Sequence, residues 1–323
     1  MENPLLEVRN LSVNFTLKQG VVKAVDDLSF FVRQSESLGI VGETGCGKSV
    51  TALSLLRLIP TPPGEIVGGE ILFEGEDLLK KSETEMRRIR GRHISMVFQE
   101  PMTSLNPSMT VGDQIGECYR WHLGHSKKVA RGFTEHVLAL VHLPAPRAIM
   151  DRYPHELSGG MRQRVMIAMA LSCEPKLVIA DEPTTALDVT IQAQILELLQ
   201  ELRERLKMAL IFISHNLGVV ARLCDRIGVM YAGSLVEVAD RKSLFTHPLH
   251  PYTIGLLQAL PEPEFRERPL KTIPGTVCDL LHPPPGCKFH PRCFKAQEVC
   301  KENSPRLEKR FGGNSVACYF PGA

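Results

Sequence analysis

The sequence lacks any apolar run near the roughly 18 residues that a membrane-spanning helix needs. It opens Met1-Glu2-Asn3-Pro4, without a basic segment and a following apolar run, so no secretory signal is expected. Positive and negative charges nearly cancel, with 38 Lys and Arg against 36 Asp and Glu, and nothing global indicates a nucleic-acid partner. Any membrane role is therefore expected to be peripheral.

Short C-x-x-C pairs are absent too, although the chain has nine cysteines. Five of them crowd into the C-terminal stretch: Cys278, Cys287, Cys293, Cys300 and Cys318. Without an export signal, clustered cysteines favour metal binding over disulfides. The 323 residues, 43% of them hydrophobic, are otherwise ordinary for a globular protein of one or two domains.

Most of the chain reads as alternating strands and helices. Strands are predicted over 5–15, 21–32, 37–41, 69–74, 94–98, 177–180 and 209–214, with a hairpin over 227–238. A helix is predicted over 48–59, stopping at Pro60, and residues 101–157 are predicted to be helical and loopy without a strand. After about residue 240, recurrent prolines are expected to interrupt any regular element. We therefore predict one domain over 1–245, with a helical subdomain near 101–160, and a separate module over 246–323.

The phosphate loop, residues 42–49, reads GETGCGKS and fits the pattern G-x-x-x-x-G-K-[ST] between a strand and a helix. Glycines let successive backbone N–H groups point at phosphate oxygens, and the helix start adds its positive dipole end. Lys48 is expected to reach the β- and γ-phosphates, and Ser49 to place its hydroxyl on Mg²⁺. The residues expected to contact ATP here are Gly42, Glu43, Thr44, Gly45, Cys46, Gly47, Lys48, Ser49 and Val50.

A second element, LVIADE at 177–182, is an apolar strand that ends in two carboxylates. Asp181 is placed to hold Mg²⁺ or its water shell, and Glu182 could polarise an attacking water. Two acids after a buried strand are as often merely solvated. Together with the phosphate loop, however, they predict a nucleotide-hydrolysis site.

Residues 157–164 read LSGGMRQR, and here the chain resembles the ABC transporter ATPases, whose signature LSGGQ lies just before their acidic motif. Met161 stands in the Gln position. The resemblance implies that Ser158, Gly159 and Gly160 cap an ATP held by a second ATPase subunit in a head-to-tail dimer. It implies a P-loop α/β core with an antiparallel β subdomain, an inserted helical subdomain and a small Cys/Pro-rich C-terminal module.

Further positions match this family in chain order. Gln99 matches the loop glutamine that senses Mg²⁺ and the attacking water and contacts the transport partner. Ala186-Leu187-Asp188 matches the loop that crosses the dimer interface, with Asp188 at the ATP, and His215 matches the histidine that touches the γ-phosphate. Phe15 is a candidate for stacking on adenine, although a core Phe is equally compatible with the pattern.

The segments QEPMTSLNP (99–107), HPLHPYT (247–253) and GCKFHPRC (286–293) are similar to the oligopeptide/dipeptide importer branch, which includes nickel importers. That likeness implies a [4Fe-4S] cluster on Cys287, Cys293, Cys300 and Cys318, with Cys278 unassigned. Zinc, with His282 or His290 replacing a cysteine, is the alternative. The implied partners are a second ATPase, favoured as a homologous heterodimer, two membrane permease subunits and an extracellular substrate-binding protein, at the cytoplasmic face of the membrane.

Three other classes of protein fit the sequence less well. ABC ATPases of repair or translation typically carry two cassettes, coiled coils or zinc insertions, which this sequence does not show. Some family members that hold ATP without hydrolysing it have lost the catalytic Glu, whereas Glu182 and His215 are both present here. Exporters usually fuse the pore to the ATPase. Peptide import is the favoured function, with nickel import as the alternative.

Overall fold

The computed structural model describes residues 3–185, 187–260, 272–310 and 313–322. The chain forms two compact units. The first unit comprises Met1–Val32, Ser37–Leu79 and Ile213–Ala323, and the second comprises Arg33–Glu36 and Lys80–Phe212. The domain boundary predicted near residue 245 stays a prediction.

The first unit contains an antiparallel sheet of four strands in the order β2-β1-β4-β5. Their bounds are β1 (Leu6–Leu17), β2 (Gly20–Val32), β4 (Gly64–Phe73) and β5 (Glu76–Asp77). Leu6, Val8, Leu11 and Val13 of β1 are all buried, as expected for the inward face of a half-buried strand. The strand predicted from residue 69 begins earlier, at Gly64, because residues 64–68 pair with the far end of β1.

A second group of strands in the first unit has the order β11-β12-β10-β9-β3. The bounds are β3 (Ser37–Val41), β9 (Arg226–Tyr231), β10 (Ser234–Asp240), β11 (Glu308–Lys309) and β12 (Ser315–Val316). β3 runs parallel to β9 and is buried along its whole length, as a continuous apolar strand requires. The predicted hairpin forms through Ala232 and Gly233, both at positive φ. Residues near the C-terminus thus extend the sheet that carries β3.

The helices of the first unit are α1 (Lys48–Leu55), α9 (Leu217–Leu223), α10 (Arg241–Thr246), α11 (Pro251–Gln258) and α12 (Glu298–Glu302). α1 was predicted to continue to Ile59, but it ends at Leu55 and Arg57 takes a left-handed φ of 52°. The expectation that prolines interrupt all regular structure after residue 240 was wrong. Pro251 starts α11, since the first helical position needs no N–H donor.

The second unit carries β6 (Ile94–Val97), parallel to β7 (Leu177–Asp181), and β8 (Ala209–Ser214) beside β7. The last two residues of β8 belong to the first unit. Its helices are α2 (Glu83–Ile89), α3 (Pro101–Ser104), α4 (Val111–Leu123), α5 (Lys127–Leu140), α6 (Pro146–Met150), α7 (Gly159–Leu171) and α8 (Val189–Leu206). The segment 101–157 is therefore helical and free of strands, as predicted.

Oxygen-bearing side chains cap the four longest helices of the second unit. Thr110, Ser126, Ser158 and Asp188 each accept a hydrogen bond from the backbone N–H three residues on, which satisfies one unpaired donor of the first turn. In the part of the chain that the structure describes, no helix is both long and apolar enough to cross a membrane.

Candidate functional site

The phosphate loop connects β3 to α1 in the first unit, and its course depends on glycine. Gly45 and Gly47 have φ angles of 83° and 102°, which side-chain-bearing residues rarely adopt. A Cβ on Gly47 would lie 2.2 Å from the carbonyl oxygen of Ala24, and one on Gly42 would lie 2.2 Å from that of Met230. These two positions accept only glycine because neighbouring backbone comes so close.

Lys48 begins α1 and is buried. Its Nζ donates to the carbonyl oxygens of Gly42, at 2.9 Å, and Glu43, at 3.0 Å, so the loop closes around its own lysine. The Cys46 Sγ lies 3.8 Å from Lys48 Nζ. Burial raises the pKa of this thiol, which keeps it neutral. The loop tip at Thr44 and Gly45 is exposed, while Ser49 and Val50 are half-buried.

Two residues beyond position 250 also hold the phosphate loop, and the sequence analysis did not find them. This C-terminal stretch, from residue 250 onward, contains the clustered cysteines. The backbone N–H of Glu43 donates to the Tyr252 hydroxyl at 3.0 Å. The Arg292 guanidinium donates to both carboxylate oxygens of Glu43, at 2.7 and 2.9 Å. No short motif signals these contacts, because Arg292 and Glu43 are 249 positions apart.

The acidic residues lie at the end of β7 in the second unit. Asp181 closes the strand and is buried, whereas Glu182 leaves it with a left-handed φ of 44°. Non-glycine residues at positive φ are strained and concentrate at functional sites. The Glu182 carboxylate accepts from the Thr185 hydroxyl at 2.9 Å and from the Gln99 amide at 3.4 Å. The structure thus brings together Gln99 and Glu182, and adds Thr185, which the sequence analysis missed.

The signature segment starts α7. Ser158 caps this helix, its Oγ accepting from the Met161 N–H at 3.3 Å. Gly160 lies so close to α8 that a Cβ there would come within 2.9 Å of an Ile191 methyl carbon. Ser158 and Gly159 are exposed, which leaves this helix start accessible to a ligand. Asp188 caps α8 by accepting from the Ile191 N–H at 2.9 Å, while Ala186 lies outside the described residues.

Two further predicted residues belong to the first unit. His215 follows β8 and is exposed, and Asn216 after it caps α9. Phe15 lies in β1, half-buried and opposite Val22 and Gly64 of the neighbouring strands. Their contacts with ATP remain predictions.

The four predicted cluster ligands lie around one small cavity in the first unit. Cys287, Cys293, Cys300 and Cys318 line it together with apolar and aromatic side chains, and Cys278 does not. The Cys287 N–H donates to the Cys300 carbonyl at 2.8 Å, which ties two of the cysteines together directly.

Burial raises the pKa of three of the four thiols, those of Cys287, Cys293 and Cys318. It raises the pKa of Cys287 to about 11, helped by the three neighbouring cysteines, and it also raises the pKa values of Cys293 and Cys318. Burial lowers the pKa of His250, which lines the same cavity, to about 3, so this imidazole is neutral. Without a cation, the raised pKa values keep the Cys287, Cys293 and Cys318 thiols protonated near pH 7.

Among the described residues, no group of three or more His, Cys, Asp and Glu side chains is arranged to hold a metal ion. A tetrahedral zinc site needs Zn–S distances of about 2.3 Å, which brings its sulfurs within roughly 4 Å of each other. His282 and His290, the alternative zinc ligands, belong to no such group within the part of the chain that the structure describes. The His282 ring contacts the Asp279 carboxylate at 3.2 Å, and the His290 ring contacts the Cys287 carbonyl oxygen at 3.0 Å.

Comparison with known proteins covers nearly the whole chain. Residues 25–185 match the ABC transporter family, and residues 236–300 match the oligopeptide/dipeptide transporter C-terminal region. The chain is 50% identical over 316 residues to the dipeptide transport ATP-binding protein DppD of Bacillus subtilis, covering 98% of this chain and 94% of that one. It is 52% identical over 318 residues to the oligopeptide transport ATP-binding protein OppD of Haemophilus influenzae, covering 98% of each.

Solved structures share the fold. The dimeric ATP-binding cassette MJ0796, in a post-hydrolysis state bound to ADP and Pi, superposes with a TM-score of 0.66 at 24% identity, covering 73% of this chain and 98% of that one. CbiO1 of Clostridium perfringens, part of an ABC transporter complex, gives a TM-score of 0.64 at 26% identity, covering 76% of this chain and 91% of that one. The phosphate loop, the acidic strand end and the full-length similarity lead to one conclusion: the chain belongs to the ABC transporter family, among its oligopeptide/dipeptide transport ATP-binding proteins.

Proposed function

We propose that the chain hydrolyses ATP at the cytoplasmic face of the membrane to energise import of dipeptides or oligopeptides through separate permease subunits. The observation that carries hydrolysis, rather than mere ATP binding, is the Glu182 carboxylate held by Thr185 and Gln99 at a strained backbone position. The peptide cargo is supported by relatives named for dipeptide and oligopeptide transport at about 50% identity over nearly the full chain.

In this function the phosphate loop binds the ATP phosphates through its backbone N–H groups and Lys48. Glu182 takes the proton from the attacking water, and His215 contacts the γ-phosphate. Ser49, Gln99 and Asp181 offer hydroxyl, amide and carboxylate oxygens, the donor set that Mg²⁺ prefers. When bound, Mg²⁺ would neutralise phosphate charge, and Phe15 would stack on the adenine.

Two ATPase subunits act together in the proposed mechanism. Ser158, Gly159, Gly160 and Asp188 act on the ATP held by the partner subunit, since the exposed α7 start offers a second anion site apart from the phosphate loop. We propose that the partner is a homologous ATPase rather than a second copy. The helical segment near Gln99 would transmit opening and closing of this dimer to two permease subunits, which an extracellular substrate-binding protein supplies.

We further propose that Cys287, Cys293, Cys300 and Cys318 hold a [4Fe-4S] cluster. The donor set fits, because four thiols line one cavity and such clusters take four thiolates. The positions of these cysteines in the sequence favour a cluster over zinc, because they lack the short C-x-x-C pairs typical of zinc modules. The cluster would cross-link the predicted module over 246–323, which follows the predicted ATPase domain over 1–245. Its role would be structural, because ATP-driven transport needs no electron transfer.

The experiment reconstitutes the ATPase pair with its permease and binding protein in vesicles. ATP should drive accumulation of labelled dipeptides or short oligopeptides, and peptide should stimulate ATP hydrolysis. Vesicles loaded with ADP serve as the control. ATP-dependent uptake of Ni²⁺ without peptide uptake would instead support the nickel alternative, and ATPase activity unaffected by either cargo would contradict import altogether.

A further inference from the structure

A buried arginine of the C-terminal stretch, Arg292, binds Glu43 of the phosphate loop. Arg292 lies one position before Cys293, and its side chain is 5% exposed. The guanidinium makes a two-pronged ion pair with Glu43, and its Nε donates to the Pro274 carbonyl at 3.0 Å. A planar guanidinium matched to both carboxylate oxygens is the strongest common form of such a pair. The contact is therefore directional and defined.

Every polar group of Glu43 has a partner. Its carboxylate binds Arg292, its N–H donates to the Tyr252 hydroxyl, and its carbonyl accepts from Lys48 Nζ. Both the side chain and the N–H are thus held by residues beyond position 250. The carbonyl in turn helps to hold the lysine that serves the ATP phosphates. One loop residue therefore links the C-terminal stretch to Lys48.

The groups that hold Glu43 are themselves rigidly packed. Tyr252 is fully buried, and its ring contacts Tyr231 and Phe289 at centroid distances of 4.7 and 5.3 Å. The Arg292 guanidinium carbon lies 5.9 Å from the Tyr231 ring centre and 6.0 Å from that of Phe289. Planar guanidinium groups pack favourably over aromatic rings. The clamp on Glu43 thus rests on a packed aromatic cluster.

We propose that Arg292 is a positioning residue for ATP binding, which through Glu43 holds the phosphate loop in the conformation that receives ATP. This rests on the proposed role of the loop in binding ATP. The physical reason is preorganisation: a loop that binds phosphate through backbone N–H groups loses affinity when its backbone gains freedom. The residues beyond position 250 that hold Glu43 thereby help to determine the affinity for ATP.

Loss of the Arg292 contact should raise KM for ATP and leave kcat nearly unchanged. Arg292 donates its hydrogen bonds to Glu43 and Pro274, and loop contacts to phosphates form before the chemical step. An interaction made equally in the bound and transition states changes KM and leaves kcat intact. This split separates a positioning role from a catalytic one.

The test measures steady-state ATP hydrolysis by the purified transporter complex. Arg292→Gln should raise KM for ATP roughly 10-fold to 100-fold, because it leaves Glu43 unpaired, while kcat changes less than about twofold. Glu43→Gln should raise KM in the same way. The double variant should be no worse than the more affected single variant, since the two changes remove the same interaction.

Lys288→Gln is the matched control. Lys288 anchors the same stretch, pairing with Asp26 at 2.8 Å and donating to the Ala232 carbonyl at 2.8 Å, but it does not touch Glu43. Its KM should equal that of wild type. A KM increase in Lys288→Gln as large as in Arg292→Gln would overturn the proposal, because any loosening of the stretch would then suffice. Additive effects in the double variant would also overturn it.

Two further variants keep the outcome decisive. If Arg292→Gln does not accumulate, Glu43→Gln decides, because that side chain is 24% exposed and a wild-type KM there contradicts the proposal. Arg292→Lys keeps the charge but loses the two-pronged geometry, so its KM should be intermediate. Lys48→Ala separates this proposal from its premise. Normal ATP binding by Lys48→Ala overturns the loop assignment itself, whereas lost binding with a wild-type KM in Arg292→Gln overturns only the clamp.

Discussion

At the residue scale, Glu182 combines three properties that single it out in the second unit. It follows a buried strand, its backbone is left-handed, and its carboxylate accepts from Thr185 and Gln99. A carboxylate with two donors is held in one orientation, which a general base requires. Asp181, its buried neighbour, suits metal binding instead.

We expect Glu182→Gln to preserve ATP binding and to reduce turnover by roughly 10²–10⁴-fold, because the amide cannot accept the proton of water. The same variant should accumulate as an ATP-bound dimer, since hydrolysis drives reopening. Phosphate release and size-exclusion chromatography with ATP measure the two effects. Glu197→Gln, at an exposed site of α8, is the control and should behave like wild type. Wild-type turnover in Glu182→Gln would show that another group positions the water.

At the scale of elements, the N-terminus of α7 has a structural role and a proposed functional one. Ser158 stabilises the helix as its cap, and the exposed start of the helix offers N–H groups and positive dipole potential to an anion. α5 starts in the same way, with Ser126 accepting from the Val129 N–H, but it carries no signature sequence. Comparing variants of Ser158 and Ser126 therefore separates the contribution of a cap to stability from its contribution to function.

Ser158→Ala and Ser126→Ala should each lower the free energy of unfolding by about 1 kcal/mol, the usual cost of a lost cap. Only Ser158→Ala should also impair ATP hydrolysis, and it should leave ATP affinity of the isolated subunit nearly unchanged. Lys48→Ala should abolish binding within the single chain, because it removes the cation that pairs with the phosphates. Urea unfolding, nucleotide binding and hydrolysis rates measure these effects. Equal loss of affinity in Ser158→Ala and Lys48→Ala would contradict the head-to-tail arrangement.

At the scale of the whole molecule, the C-terminal stretch is held by more than cysteines. β12 pairs with β10, the Tyr252 and Phe289 rings are buried, and Arg292 binds Glu43. The expectation that this stretch lacks regular structure is corrected by α11 and by these strands. A metal group would therefore add a cross-link to a stretch that already has packed contacts, and loss of the group should loosen it without unfolding the chain.

Anaerobically purified protein should be brown and contain about four irons per chain if the four cysteines hold a [4Fe-4S] cluster. Each single Cys→Ser change at positions 287, 293, 300 and 318 should remove the colour, because each removes one thiolate ligand. Cys278→Ser is the control and should stay coloured, since Cys278 does not line the cavity. Iron analysis and visible absorption measure the outcome. Colourless protein with about one zinc per chain would contradict the cluster and support the zinc alternative.

The sequence alone was sufficient wherever chemistry depends on neighbouring residues. The phosphate loop, the acidic strand end and the signature are each contained in a few consecutive positions, because a backbone cradle or a helix start is built locally. β3, β7 and the hairpin of β9 and β10 were predictable for a similar reason, as their apolar patterns report burial directly. The end of α1 and the structure within the C-terminal stretch were not, because tertiary contacts override local propensity there.

Only the tertiary structure decided which distant groups meet. Thr185 joins Gln99 at Glu182, four buried or half-buried cysteines surround one cavity, and Arg292 binds Glu43 across 249 positions. A local pattern cannot encode such meetings, since each depends on how strands and loops far apart in the chain are packed. The amino-acid sequence thus determined the chemistry available at each site, and the packing of the chain determined which groups support it.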